Sequence, residues 1–236
     1  MCETRVRSVS RKEKKFLVDL AAAKKLEGAF VGLLAADPHN GLGGYPIRSL
    51  YFDTLHDHDY AEKLFGVDPR RKVRLRIYDP TSDFALLELK QKQGENQQKR
   101  SLPLTRAEAE RLIAGDTDVL LTHDEPFAAE IHALMSINGY APKAIVEYDR
   151  IAFTAKENKI RVTFDRNVRA TELNLNLFDP RLPLYPVFDP FNVILEVKFN
   201  GFLLSYIRSM LNMVDKSELS VSKYCLARTV RMGYQF

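Results

Sequence analysis

Cysteine is nearly absent: the 236 residues hold only Cys2 and Cys225. Two cysteines make no disulfide framework and no metal-ligand spacing, which points to a reducing compartment. A strong charge of one sign is missing as well. Thirty-five Lys and Arg against 31 Asp and Glu leave +4, too mild for a protein that coats nucleic acid, so any anion site is local. Long apolar runs are also missing. The N-terminal "MCETRVRSVSRKEKKF" lacks an apolar core and is not a signal peptide. The most apolar early stretch, "GAFVGLLAADP", is too short to cross a bilayer. There is no repeat of solenoid length and no low-complexity tract. A hydrophobic content of 45% and a charged content of 28% are those of a soluble globular protein. The chain is read as one domain, residues 1–236, in the cytoplasm.

What the sequence does have is alternation. In "ILEVKF" (194–199), Ile194, Glu196 and Lys198 point one way and Leu195, Val197 and Phe199 the other. Similar strand signals fall at 11–18, 47–53, 71–79, 84–92, 144–153 and 159–168, the last strand spans 192–199, and 97–104 makes an eighth. Helical segments lie between them, at about 19–34, from Thr105, at about 127–137, at 201–214 and near the C-terminus. "TRAE" from Thr105 predicts a capping box, with Thr105 as cap and Glu108 reaching back. The proline-rich "LFDPRLPLYPVFDPF" reads as a long irregular loop within the domain, because strand signals continue after it.

The polar faces of these strands carry ten basic residues (Arg11, Lys15, Lys72, Arg74, Arg76, Lys90, Lys92, Arg150, Arg161 and Lys198) against four acids (Glu13, Glu88, Asp165 and Glu196). The solvated face of an antiparallel sheet usually mixes signs, since like charges opposite one another are destabilising. About eight antiparallel strands can close into a barrel. Closure with the apolar faces outward, under the amphipathic helices, puts the charges inside. Such a lumen persists only if it is wet and holds a polyanion. The expectation is therefore an α+β fold: an eight-stranded antiparallel β-barrel tunnel with a charged lumen and an apolar outer face covered by helices. Carboxylates among Lys and Arg in a phosphate site suit Mg²⁺ or Mn²⁺.

Other signals are set aside. "HDHD" (56–59) reads as a surface turn rather than a metal cluster. "GLGG" (41–44) reads as a flexible turn, not being followed by a helix with Lys-Ser/Thr. Cys225 has no partner for nucleophilic chemistry. The aromatics do not interleave with the basic residues as a single-strand stacking platform requires, which argues against nucleic acid.

The motifs "KKF" (14–16), "SLYFDT" (49–54), "RLRIYD" (74–79), "LELKQK" (87–92), "EYDRIAF" (147–153), "IRVTFD" (160–165), "LEVKF" (195–199) and "SKY" (222–224) resemble, in this order, the polyphosphate polymerase domain of the vacuolar transporter chaperone (VTC) family. That family lies within the triphosphate tunnel metalloenzymes, the CYTH-like group. The resemblance implies transfer of the terminal phosphate of ATP to a growing polyphosphate chain, with Mn²⁺ or Mg²⁺. It implies Lys15, Arg74, Arg76, Lys90, Arg150 and Arg161 as phosphate ligands, joined by Lys223 and Ser222 from the C-terminal helix. Tyr148 looks like a hydroxyl donor to phosphate, Lys198 a further substrate contact and Glu196 the metal ligand. Lys99 or Arg100 matches a further basic position. The ExExK motif of other tunnel enzymes is incomplete, since position 11 is Arg. Neither an SPX region nor a transmembrane region is present, so the chain resembles the stand-alone prokaryotic form and leaves room for a membrane partner protein. The alternatives are a tunnel triphosphatase acting on tripolyphosphate or nucleoside triphosphate, and a non-catalytic polyphosphate-binding module. A smaller branch of the fold makes cyclic AMP.

Overall fold

The computed structural model describes residues 7–10, 12–94, 96–218 and 222–229. Its strands are β1 (Arg7–Ser10), β2 (Lys12–Asp19), β3 (Ala35–Ala36), β4 (Tyr45–Asp53), β5 (Arg70–Ile77), β6 (Phe84–Gln93), β7 (Asn96–Thr105), β8 (Ala141–Ala155), β9 (Ile160–Thr171), β10 (Tyr185–Pro186), β11 (Asn192–Phe199) and β12 (Ser217–Glu218). The helices are α1 (Leu20–Phe30), α2 (His58–Leu64), α3 (Arg106–Ile113), α4 (Pro126–Ile137), α5 (Ser205–Leu211) and α6 (Lys223–Ala227). The eight strands of eight or more residues coincide with the eight read from alternation. Arg11 lies outside the described residues, as does most of the segment read as the last helix.

All the strands join one antiparallel sheet, in the order β1-β7-β6-β5-β4-β8-β9-β11-β2-β12, with β10 on β9 and β3 on β8. Among the described residues this order has two ends, so the expected closed barrel is not what forms. The outer edge of β7 is taken by β1, with Arg7 opposite Lys99. The outer edge of β2 is taken by β12, with Ser217 opposite Leu17. Each edge is filled by a short strand, and β2 and β7 share no ladder. The sheet nevertheless curls until β2 and β6, six places apart in the order, meet on the concave side: Lys90 Nζ lies 3.3 Å from Glu13 Oε2.

Apolar residues alternate onto the convex side, and helices cover them there. Leu50, Val73, Leu75, Leu87 and Leu102 pack with Leu112 of α3 and with Phe127 and Ile131 of α4. On the other flank Val162, Phe164, Leu195 and Val197 pack with Leu26 and Phe30 of α1 and with Ile207 of α5. The capping box at the head of α3 forms as predicted, with the Thr105 side chain accepting from the Glu108 backbone and the Glu108 side chain accepting from the Thr105 backbone. The proline-rich segment is a loop held to the sheet by Arg48, which donates to the backbone carbonyls of Leu177 (3.1 Å) and Asp179 (2.6 Å).

The concave face is not a clear bore. A third apolar cluster joins Tyr51, Val146, Tyr148 and Ile194 of the sheet to Tyr224, Leu226 and Ala227 of α6. Tyr224 stacks on Tyr51 with ring centroids 5.1 Å apart, and its hydroxyl donates to Asp53 at 2.7 Å. The C-terminal helix thus fills part of the channel between its ends.

Candidate active site

Every described basic residue of the ten projects onto the concave side, and the four carboxylates gather six of them in groups. In the first group Glu13 and Glu196 sit on adjacent strands, with Lys15 opposite Glu196 and Lys198 opposite Glu13. Lys15 Nζ is 2.8 Å from Glu13 and 3.8 Å from Glu196. Lys198 contacts both carboxylates as well, most closely Glu196. Burial and the adjacent Glu196 would raise the Glu13 pKa, but Lys198, Lys15 and Lys90 outweigh them and hold it at about 2. Burial also opposes ionisation of Glu196, yet Lys198, Lys15, Lys223 and Arg150 keep it well below the usual carboxylate range.

In the second group Glu88, 1% exposed, accepts from Arg74 Nε at 2.7 Å, makes a close contact with Lys99 and lies 3.8 Å from Arg76. Arg74 also donates to the Tyr51 hydroxyl at 3.2 Å. In the third, Asp165 takes a two-pronged contact from Arg150, at 2.6 and 2.8 Å, and a third from Lys223 at 2.5 Å. The Arg150 guanidinium and the Lys223 ammonium both lie over the ring of Tyr148. Burial would raise the Tyr148 pKa, but Arg150, Arg76 and Lys223 lower it below the ordinary tyrosine value. Arg161 stands apart from these groups, with Nη2 donating to Asp37 (2.9 Å) and to the Tyr45 hydroxyl (3.1 Å).

Two of the residues named from the motifs make contacts of another kind. Arg100 is not brought to the channel. It alternates with Lys99 along β7, so it points to the convex side, where it lies over Phe127 and pairs with Glu130 of α4. The Ser222 hydroxyl is already engaged as the N-cap of α6, accepting from the Cys225 amide at 3.1 Å.

At one end the channel widens into a cavity of about 350 Å³ lined by Lys15, Lys72, Lys90 and Lys92 together with Glu13, Gln97 and Ser222. Lys63, Arg70 and Arg71 also line it and were missed in the sequence. Lys63 belongs to α2, which occupies the segment read as a turn around "HDHD". Within that segment His58, Asp59 and Glu62 bring ligand atoms close together, but Asp59 is already taken by the Tyr140 hydroxyl at 2.9 Å. "GLGG" is more than a flexible turn: Gly44 has φ +96°, and a Cβ there would stand 2.5 Å from the carbonyl oxygen of Arg150. Only glycine lets this turn approach β8 so closely.

Burial, with crowding of like charge, shifts the lysines of the cavity. Burial, aided by Lys15, Lys90 and Lys63, pushes Lys72 down from 10.5 to about 7. Burial, with Lys198 and Lys15, outweighs Glu13 and pushes Lys90 down to about 8. Both ammonium groups therefore lose protons in the ligand-free protein at mildly alkaline pH. For Lys72 this penalty on the fold is complete below about pH 7 and is relieved as pH rises towards 10.5, where the unfolded chain also gives up its proton. A polyanion seated among these lysines favours their charged forms. Binding of tripolyphosphate is expected to take up protons between about pH 7 and 9 and to weaken as pH rises through that range. Calorimetry in buffers of different ionisation enthalpy measures this uptake; pH-independent affinity without it would show that the cavity lysines do not meet the ligand.

The described residues include no helix long and apolar enough to cross a membrane. The VTC domain model matches residues 10–231. The chain belongs to the VTC-domain family. No curated protein matches it. Solved structures similar to this VTC domain include a putative adenylate cyclase from Bacillus halodurans, 14% identical with a TM-score of 0.46, the match covering 87% of this chain and 89% of that one. A conserved hypothetical protein from Pyrococcus furiosus is 9% identical with a TM-score of 0.39, covering 86% of each chain. A chain of the Schizosaccharomyces pombe Mediator head module is 11% identical with a TM-score of 0.45, covering 89% of this chain and 100% of that one.

Proposed function

We propose that this VTC domain is a metal-dependent polyphosphate polymerase that transfers the terminal phosphate of ATP to a growing polyphosphate chain. The observation that carries the reading is the concave face itself, along which cations from β2, β5, β6, β7, β8, β11 and α6 converge on the four carboxylates Glu13, Glu88, Asp165 and Glu196, with Arg161 of β9 beside them on Asp37. A surface of that kind fits a linear polyanion. Family membership supports the same reading.

Phosphoryl transfer depends on positioning and charge neutralisation more than on covalent chemistry. Arg74, Arg76 and Arg150 present planar guanidinium groups that grip phosphate oxygens in pairs, while Lys15, Lys90 and Lys223 act as movable point charges. In the ligand-free protein the carboxylates keep these cations apart and aimed inward, so a phosphate chain meets a preorganised row. The acceptor is a chain-end phosphate oxygen, anionic at neutral pH, so no protein base is required. That oxygen forms a bond to the γ-phosphorus, the bond from the γ-phosphorus to the β-bridging oxygen breaks, and ADP leaves with the electron pair.

The carboxylates of Glu13 and Glu196, on adjacent strands, would hold a hard divalent ion such as Mn²⁺ or Mg²⁺. When bound, the ion would offset charge developing on the leaving group. Glu13 was not assigned from the motifs, because the first position of the ExExK pattern is missing; Lys15 and Lys198, which each contact both carboxylates, support adding it beside Glu196.

Incubation with ATP and Mn²⁺, with products resolved by gel electrophoresis, tests the proposal. Long chains are expected. Release of free phosphate alone would make the protein a triphosphatase, and absence of turnover a binding module.

A further inference from the structure

The two ends of the channel differ in chemistry. Arg70, in the lysine-rich cavity, opens β5, and Tyr78 follows the end of that strand at Ile77. Eight residues of extended chain separate the two, roughly 26 Å. Among the described residues, no aromatic side chain lines the cavity. At the Tyr78 end, by contrast, three rings gather: Tyr45 and Tyr78 have centroids 6.4 Å apart, and His39 meets Tyr45 edge-on at 6.0 Å.

These rings are tied to the cations. Tyr45 is directly opposite Arg150 in the β4–β8 ladder, so both project into the channel, and its hydroxyl accepts from Arg161. Asp37 accepts from the same guanidinium and holds His39 Nδ1 at 2.9 Å. The loop carrying them is fixed on β8 by Asn40, which donates to the Ala152 carbonyl (2.7 Å) and accepts from its amide (3.0 Å). Tyr78 is 43% exposed, so part of its ring stays open to a ligand.

We propose that His39, Tyr45 and Tyr78 form a nucleobase-stacking subsite at this mouth. The nucleoside of ATP rests on the rings while its phosphates run inward past Arg161 and Arg150 towards Lys15 and Glu196. The proposal rests on the nucleotide-dependent reading above and gives it a direction: the donor enters at the aromatic mouth, and the lysine-lined cavity at the other end is left for the polyphosphate acceptor. Every base offers a π-face, so such a platform adds affinity without selecting among nucleotides by hydrogen bonds.

The test compares ATP with tripolyphosphate, which has the phosphates but no base. Calorimetric affinities are measured for the wild type, Tyr78→Ala and Tyr78→Phe. Tyr78→Ala is expected to bind ATP roughly tenfold more weakly and tripolyphosphate as the wild type does. Tyr78→Phe, which keeps the ring, is expected to match the wild type with both ligands. An unchanged ATP affinity in Tyr78→Ala, or an equal loss for both ligands, would overturn the subsite while leaving the polymerase reading intact. Failure of the wild type to bind either ligand would overturn that reading and the subsite with it.

Discussion

Glu196→Gln is expected to abolish ATP turnover with Mn²⁺ while leaving tripolyphosphate affinity in chelator unchanged or slightly raised. Glu196 is 6% exposed and faces a channel built for phosphate. A carboxylate there repels the ligand unless a cation compensates it. Glutamine keeps the shape and removes the charge, so repulsion falls and metal-free binding does not suffer. A purely structural role predicts the reverse pattern. Lys15 and Lys198 both contact Glu196, and without its charge they depend on Glu13 alone, so the fold weakens while turnover survives. A third measurement separates the two cases: Mn²⁺ should tighten tripolyphosphate binding in the wild type and not in the variant. Retained turnover, or an undiminished Mn²⁺ effect, would move Glu196 from the mechanism to the scaffold.

Much of this site is legible from period-two alternation, because which face a strand residue takes is a local property. Glu196 and Lys198 point in and Val197 points out whatever the rest of the chain does. The same local rule separates Lys99 from Arg100, once β7 is fixed in register with β6. Closure is different. Whether β2 meets β7 or each takes a short strand instead depends on residues 7–10 and 217–218, far apart in sequence and too short to show a pattern. The helix α2 was missed for a related reason. Its seven residues are mostly polar, and Asp57 before it adopts φ +57° and makes no cap bond with its side chain; the first-turn amides are held instead by Thr54 and Asp53, four to seven residues back in the chain, so neither periodicity nor the usual capping signal announces it. With α2 unread, the cations around it at the cavity went unread too. Alternation also shows that four acids share the face with ten bases. It does not show that each acid gathers specific partners, since Glu13 with Lys90 and Asp165 with Lys223 join positions 77 and 58 residues apart.

Glu88→Gln is expected to lower the stability of the ligand-free protein sharply, and tripolyphosphate should restore most of the loss. Glu88 is the common partner of Arg74, Arg76 and Lys99. Burial opposes its charge, but these three cations hold its pKa well below the usual carboxylate range. Neutralising it leaves three cations facing one another with no compensating charge. Breaking a buried ion pair by removing one partner costs about 3–5 kcal/mol, a large share of the stability of a domain. A bound polyphosphate supplies the missing negative charge, so the stabilisation gained from ligand should be greater in the variant than in the wild type. Glu130→Gln is the control. It removes a carboxylate from Arg100 on the convex, half-exposed side, where an ion pair contributes about 0–1 kcal/mol and no phosphate can replace it. Thermal melts of the three proteins with and without tripolyphosphate decide the matter. If Glu88→Gln melts low and stays equally low in ligand, Glu88 is a structural anchor and the Arg74 group does not contact phosphate. If it melts low alone and approaches the wild type in ligand, that carboxylate stands in for substrate in the empty channel.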